Sequence, residues 1–346
     1  MYKKIFMGIA AAAALTLVSC SSDDLNSLSD NSSKNEAISF DGYLGRSAVS
    51  VNGSRGSELK IDDLKKPTEG FGVFGNYKNA EGLEFGSNLF NNEKVYWSSS
   101  PEPAKWKYDN TKYWPTEGHI DFLAYAPYVG QKTLKDNTSC IDFTVEKNVA
   151  DQKDLLWANA KNQTKAKNSG ENKVKFTFNH ALAKIGYSLK QKEAYTNTTI
   201  KVTSIKLVGS GNTGAFYTKG TIDLSKENND KKLWKIADDV TKQDFDWLSS
   251  VTSLTTNAAA ANNYLFVIPQ DFSATATDKL SVVVAYTVKT GETAELMNKV
   301  SKPITMKFEQ GKAYMINLTI GLTPIEFDVT TVVDWTDGGK VDIPLN

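Results

Sequence analysis

"IEFDVTTVVDW", Ile325 to Trp335, puts Ile325, Phe327, Val329 and Val333 on one face and Glu326, Asp328 and Thr330 on the other when it is read with a period of two. Wound as a helix, the same stretch would scatter its apolar side chains around the axis. The spelling recurs throughout the chain, in "AISFDGYL" (Ala37–Leu44), "GFGVFGNY" (Gly70–Tyr77), "HIDFLAYAPY" (His119–Tyr128), "KVKFTFNH" (Lys173–His180), "IKVTSIKLV" (Ile200–Val208), "KLSVVVAYTVK" (Lys279–Lys289) and "AYMINLTI" (Ala313–Ile320). Gly, Asn, Asp and Pro punctuate these stretches, as they do in antiparallel sheet. The expected fold class is all-β with few short helices. Two segments carry helical spelling, Val149–Ala160 and Lys242–Ser250, and are expected to make a few turns each.

Upstream of the strands the character changes. Lys3 and Lys4 precede the apolar run "IFMGIAAAAALTLV", which has the length of a secretory signal core and is short for a membrane span. It ends in "LVSC", Leu17 to Cys20, the pattern of a bacterial lipoprotein box, so residues 1–19 read as a signal peptide and Cys20 as the lipidated first residue. Acyl chains on Cys20 would tether the protein to a membrane. Residues 20–36, rich in Ser, Asn and Asp, bury too little apolar surface to fold and read as a flexible tether, with Asp23 and Asp24 favouring display at the outer surface.

The mature length suits two domains, expected at 37–175 and 176–346 with the boundary near Phe176. Lysine plus arginine equals aspartate plus glutamate at 40 each, so no charge excess points to nucleic acid. With Cys20 lipidated, only Cys140 remains, which excludes an internal disulfide, and it reads as a small hydrophobe at a strand start.

Motifs of chemistry are sparse. "GSGNTG", Gly209 to Gly214, has dinucleotide-binding spelling, but "AFYTKGTIDLS" follows it where a helix is required, so a hairpin loop is expected. His119 and His180 stand alone, without partners at metal spacing. No catalytic motif appears; no enzyme activity, metal or cofactor is expected. Aromatics cluster between Tyr96 and Tyr128, and Trp97, Trp106 and Trp114 read as core residues, with a sugar-stacking platform as the rival.

The chain's two arginines, Arg46 and Arg55, both follow "AISFDGYL" in a Gly- and Ser-rich link. A guanidinium in an open loop is what an arginine-specific protease reads.

Taken in order, "LVSC", "FGVFGNY", "WPTEGHIDFLAYAPY", "DLLWANA", "VKFTFNHALAKIGYSL", "YLFVIPQ" and "GKAYMINLTIGLTPIEFDVTTVVDW" resemble the fimbrillin family, the Mfa-like pilins of protease-activated (type V) pili. The resemblance spans nearly the whole mature chain. It implies two tandem transthyretin-like antiparallel β-sandwich domains and export as a lipoprotein precursor to the bacterial outer membrane. An arginine-specific maturation protease would then cut, and strand exchange with other fimbrial subunits, identical or different, would follow. Arg46 is the expected cut and Arg55 the fallback. Removing the first strand would leave a groove, and the expected donor is "GGKVDIPLN", in which Val341, Ile343 and Leu345 alternate with Asp342 and Pro344. A stalk, tip or accessory position and a host or bacterial surface receptor all stay open. The rivals are a surface glycan-binding lipoprotein that keeps its anchor and a surface hydrolase.

Overall fold

The computed structural model describes residues 36–44, 59–79, 89–135, 138–168, 173–211, 213–227, 230, 233–248, 250–260, 264–322 and, as backbone, 326–334. The signal peptide 1–19, Cys20, nearly all of the tether, Arg46, Arg55 and the tail residues Val341, Ile343 and Leu345 lie outside the described residues.

Alternating spelling becomes strand along most of the chain. In the first half the strands are β1 (Phe40–Leu44), β2 (Phe71–Lys78), β3 (Phe90–Ser98), β4 (Lys105–Lys107), β5 (His119–Ala126), β6 (Cys140–Thr144), β7 (Leu156–Gln163) and β8 (Val174–His180). All but β6 form one seven-stranded sheet in the order β1-β8-β7-β5-β2-β3-β4. This sheet curls until its ends meet, so that Phe40 on β1 packs 5.4 Å from Phe90 on β3 and 5.5 Å from Tyr108 just beyond β4. The curl encloses a core that includes Phe71, Phe90, Phe122 and Phe176.

The second half supplies β9 (Ala183–Gln191), β10 (Thr198–Gly209), β11 (Lys219–Asp223), β12 (Leu265–Val267), β13 (Leu280–Thr290), β14 (Leu296–Ile304), β15 (Lys312–Ile320) and β16 (Glu326–Asp334). One sheet runs Phe245–Asp246, β10, β13, β14, and a second runs Ala259–Ala260, β9, β15, β16, with β12 also on β9. They share a core containing Ile185, Ile205, Val282 and Ile316. The halves are also joined: β6 pairs with β11, Cys140 opposite Asp223, and Phe74, Leu123, Tyr125 and Trp157 from the first sheet enter the second core. Phe176 lies within β8 and packs in the first core, whereas Ala181, Leu182 and Ala183 belong to the second.

The chain is all-β with few short helices, namely α1 (Ile61–Leu64) and 3-10 turns at Val149–Asp151 and Lys165–Lys167 among the described residues. Pairing is antiparallel except at β1 with β8 and β9 with β15, which are parallel. Each parallel pair joins strands far apart in the chain, the separation that a crossover requires.

Three local expectations are corrected. Val149–Ala160 is a single 3-10 turn followed by β7, because β7 is covered on both faces: Leu156 and Ala158 face the first core and Trp157 the second. A strand buried on both sides spells a continuous apolar run, which resembles a buried helix. Lys242–Ser250 holds two short strands, Lys242–Gln243 and Phe245–Asp246, with Phe245 and Trp247 buried at strand spacing. The segment after "GSGNTG" does not fold back on β10; Phe216–Tyr217 pairs with Lys242–Gln243 instead.

Candidate functional site

Strand β1 closes the curled sheet. Ahead of it, the backbone at residues 36–38 runs antiparallel to 112–114: Trp114 N donates to Glu36 O (3.0 Å), Ile38 N donates to Lys112 O (2.8 Å), and Ala37 bridges Tyr113. On the opposite side Val174 N donates to Ser39 O (2.9 Å), and from Phe40 to Leu44 the strand lies parallel to β8 in the register Phe40↔Val174 to Leu44↔Phe178. The segment is thus hydrogen-bonded to β8 on one side and to residues 112–114, beyond β4, on the other.

Its side chains alternate as a half-buried strand requires. Ile38 and Phe40 are each 2% exposed, Gly42 is buried and Leu44 packs against the same core, while Tyr43 is 48% exposed and donates its hydroxyl to Asp41 (2.6 Å). The Phe40 ring sits among Phe90, Tyr108, Phe122 and Phe176 at 5.4 to 5.7 Å. Tyr108 supports the entry, its hydroxyl donating to Ile38 O at 2.7 Å. Burial holds the Tyr108 pKa above the ordinary tyrosine value, so the hydroxyl stays protonated as a donor. Withdrawing β1 would expose the places of Ile38 and Phe40, at about 1.5–3 kcal/mol each, together with the unpaired backbone of β8 and of 112–114.

The chain after the arginine-bearing segment is held as well. Asp154, fully buried, accepts from Leu59 N (3.3 Å), Leu155 N (2.8 Å) and the ring of His180 (Nδ1, 2.7 Å). His180 is therefore a satisfied residue at the end of β8, the strand that carries β1. Leu44, packed on the first core, and Leu59, bonded to Asp154, are thus each held by non-covalent contacts on either side of that segment.

Much of the aromatic cluster is core, although Tyr113 is exposed. Trp106 is 6% and Trp114 3% exposed, and Trp97 packs edge-on against Trp106 at 5.2 Å, with the Lys65 ammonium 5.1 Å above its ring. Trp106 and Trp114 are thus covered, and Trp97 is partly buried beside them with Lys65 over its face, so these three rings present no open stack. Cys140 is buried at the first position of β6. A cleft of about 410 Å³ between β5, β6 and Phe266 contains Lys132, which donates to Asp142 O (2.7 Å) and whose pKa burial lowers. No group of three or more His, Cys, Asp or Glu side chains suited to a metal occurs among the described residues.

Sequence reasoning located β1 but missed its partners. Nothing in the spelling of Tyr108, Lys112 or Asp154 marks them, since each acts across a separation of dozens of residues.

Comparison with solved structures places this architecture. A fimbrial protein from Bacteroides vulgatus superimposes with a TM-score of 0.66 at 23% identity, covering 86% of this chain and 99% of that one. A candidate cell adhesion protein from Bacteroides ovatus gives 0.50 at 16% identity over 87% and 98%. Among curated protein sequences none matches. The sequence profile of the fimbrillin-like family matches residues 62–335, and this chain belongs to that family.

Proposed function

We propose that the chain is a fimbrial subunit precursor whose β1 is a removable plug. It is exported through its leader, lipidated at Cys20 and displayed at the outer membrane surface. An arginine-specific protease cuts after Arg46, or failing that Arg55, and a strand from a neighbouring subunit then replaces β1. The donor is the neighbour's tail, with Val341, Ile343 and Leu345 entering the places of the buried β1 residues. In this reading the division into two domains, expected near Phe176, falls between β8 and β9.

One observation carries the reading. A short segment, with Ile38 and Phe40 buried and hydrogen bonds to β8 and to residues 112–114, stands immediately before the stretch that holds the chain's two arginines. Family membership and the resemblance of the fold to a fimbrial protein support it. A surface receptor for adhesion is compatible with this role. The test is amino-terminal sequencing of the protein sheared from cells, which is expected to begin at Ser47 or, for the fallback, at Gly56. The Arg46→Ala, Arg55→Ala double variant is expected to stay a lipidated precursor absent from fibres. Its appearance in sheared fibres with a processed amino terminus would remove the arginines from maturation.

A further inference from the structure

Strand β14 is the outer strand of its sheet and has a neighbour on one side only, β13, among the described residues. Which of its peptide groups point outward can be counted across the sheet. Trp247 N donates to Ile205 O (2.8 Å), so Ile205 faces the Phe245–Asp246 strand, and the alternate residues Lys206 and Val208 face Val283 and Ser281 of β13. The intervening β13 residues Val282 and Val284 then bond to Lys302 and Val300 of β14. Met297, Lys299 and Ser301 are left with N–H and C=O directed away from the sheet. Pro303, which has no N–H to offer, falls on the same outward set.

This edge is also apolar where edges are ordinarily guarded. Leu296 is 66% and Met297 85% exposed, and Asn298 and Lys299 are exposed too. Lys299, Lys302 and Pro303 are the residue types that discourage stray strands. A two-fold register centred on Val300 keeps them apart from one another. With two β14 strands antiparallel about Val300, Lys299 lies opposite Ser301, Lys302 opposite Asn298, Met297 opposite Pro303 and Leu296 opposite Ile304. Every lysine meets a neutral polar residue and each exposed apolar side chain an apolar one. Moving the axis to Lys299 sets two lysines against each other.

We propose that β14 is a homotypic contact through which two copies of this chain join edge to edge about a two-fold axis at Val300. The contact is independent of β1 and of the tail, and it would associate subunits sideways, whereas strand exchange links them in series.

The test uses the full chain carrying Cys20→Ser, in which the remaining Cys140 is buried. Val300 faces its own copy at a non-hydrogen-bonded position, where Cα atoms lie about 4.5 Å apart, within reach of a disulfide. Under mild oxidation Val300→Cys is expected to form cross-linked dimers at least about tenfold faster than Glu292→Cys at the hairpin tip. In sedimentation, Ser301→Lys sets two lysine pairs across the axis and is expected to weaken self-association about tenfold, and adding Lys299→Glu to it is expected to restore association. Equal cross-linking of the two cysteine variants, or self-association unchanged by Ser301→Lys, would overturn the proposal.

Discussion

Phe40 and Trp106 show how much of the first core depends on single rings. Phe40 touches aromatic side chains from four other strands or their flanks, and Trp106 lies between Phe71 at 5.0 Å and Trp97 at 5.2 Å. Trp106→Ala removes an indole that is 6% exposed and leaves a cavity the curled sheet cannot collapse onto, so it is expected to cost about 3–5 kcal/mol in urea unfolding. Full stability with loss of sugar binding would restore the platform reading. Trp106 and Trp114 were legible as core from the aromatic clustering around them. The partnership of Asp154 with Leu59 and His180 was not, because a hydrogen bond between distant loops leaves no periodic trace.

Strands were legible wherever one face is buried and the other wet, as in β13, β15 and β1. They were misread where both faces are buried, as in β7, and parallel pairing was not anticipated, since it joins residues more than a hundred positions apart. The same burial gives the strands a shared response to alkali. Tyr108, Tyr125, Tyr187 and Tyr314 all have pKa values raised by burial, that of Tyr314 to about 12. The unfolded chain ionises its tyrosines near about 10 while the folded chain resists, so their contribution to stability is intact below about pH 10 and is lost as the pH rises from there through the folded values. Thermal melts followed by circular dichroism between about pH 8 and 11.5 are expected to show a flat melting temperature and then a fall beginning near pH 10. A fall beginning well below that point would mean that these hydroxyls do not set the alkaline limit.

Across the whole molecule, the two halves share β6 with β11 and part of the second core, so the first sheet is clamped from behind, while β1 lies at its open edge. Loss of β1 would take from β8 its partner over Val174–Phe178, leaving it paired to β7 through Asn179 and His180, while the cover between β6 and β11 stays in place. Composition and rhythm made the all-β class and the strand before the arginines legible; they could not reveal that one sheet curls onto itself, because curl is a property of long-range contacts. The account rests on β1 being replaceable once its covalent link is cut. The most direct measurement is uptake of a fluorescent peptide spanning residues 335–346 by the purified chain before and after an arginine-specific cut, with mass spectrometry of the released fragment. The account predicts no uptake by the intact chain, and uptake by the cut chain in step with loss of the fragment containing Ile38 and Phe40. Equal uptake by both forms, or a cut chain that keeps its first strand and takes up no peptide, would contradict it.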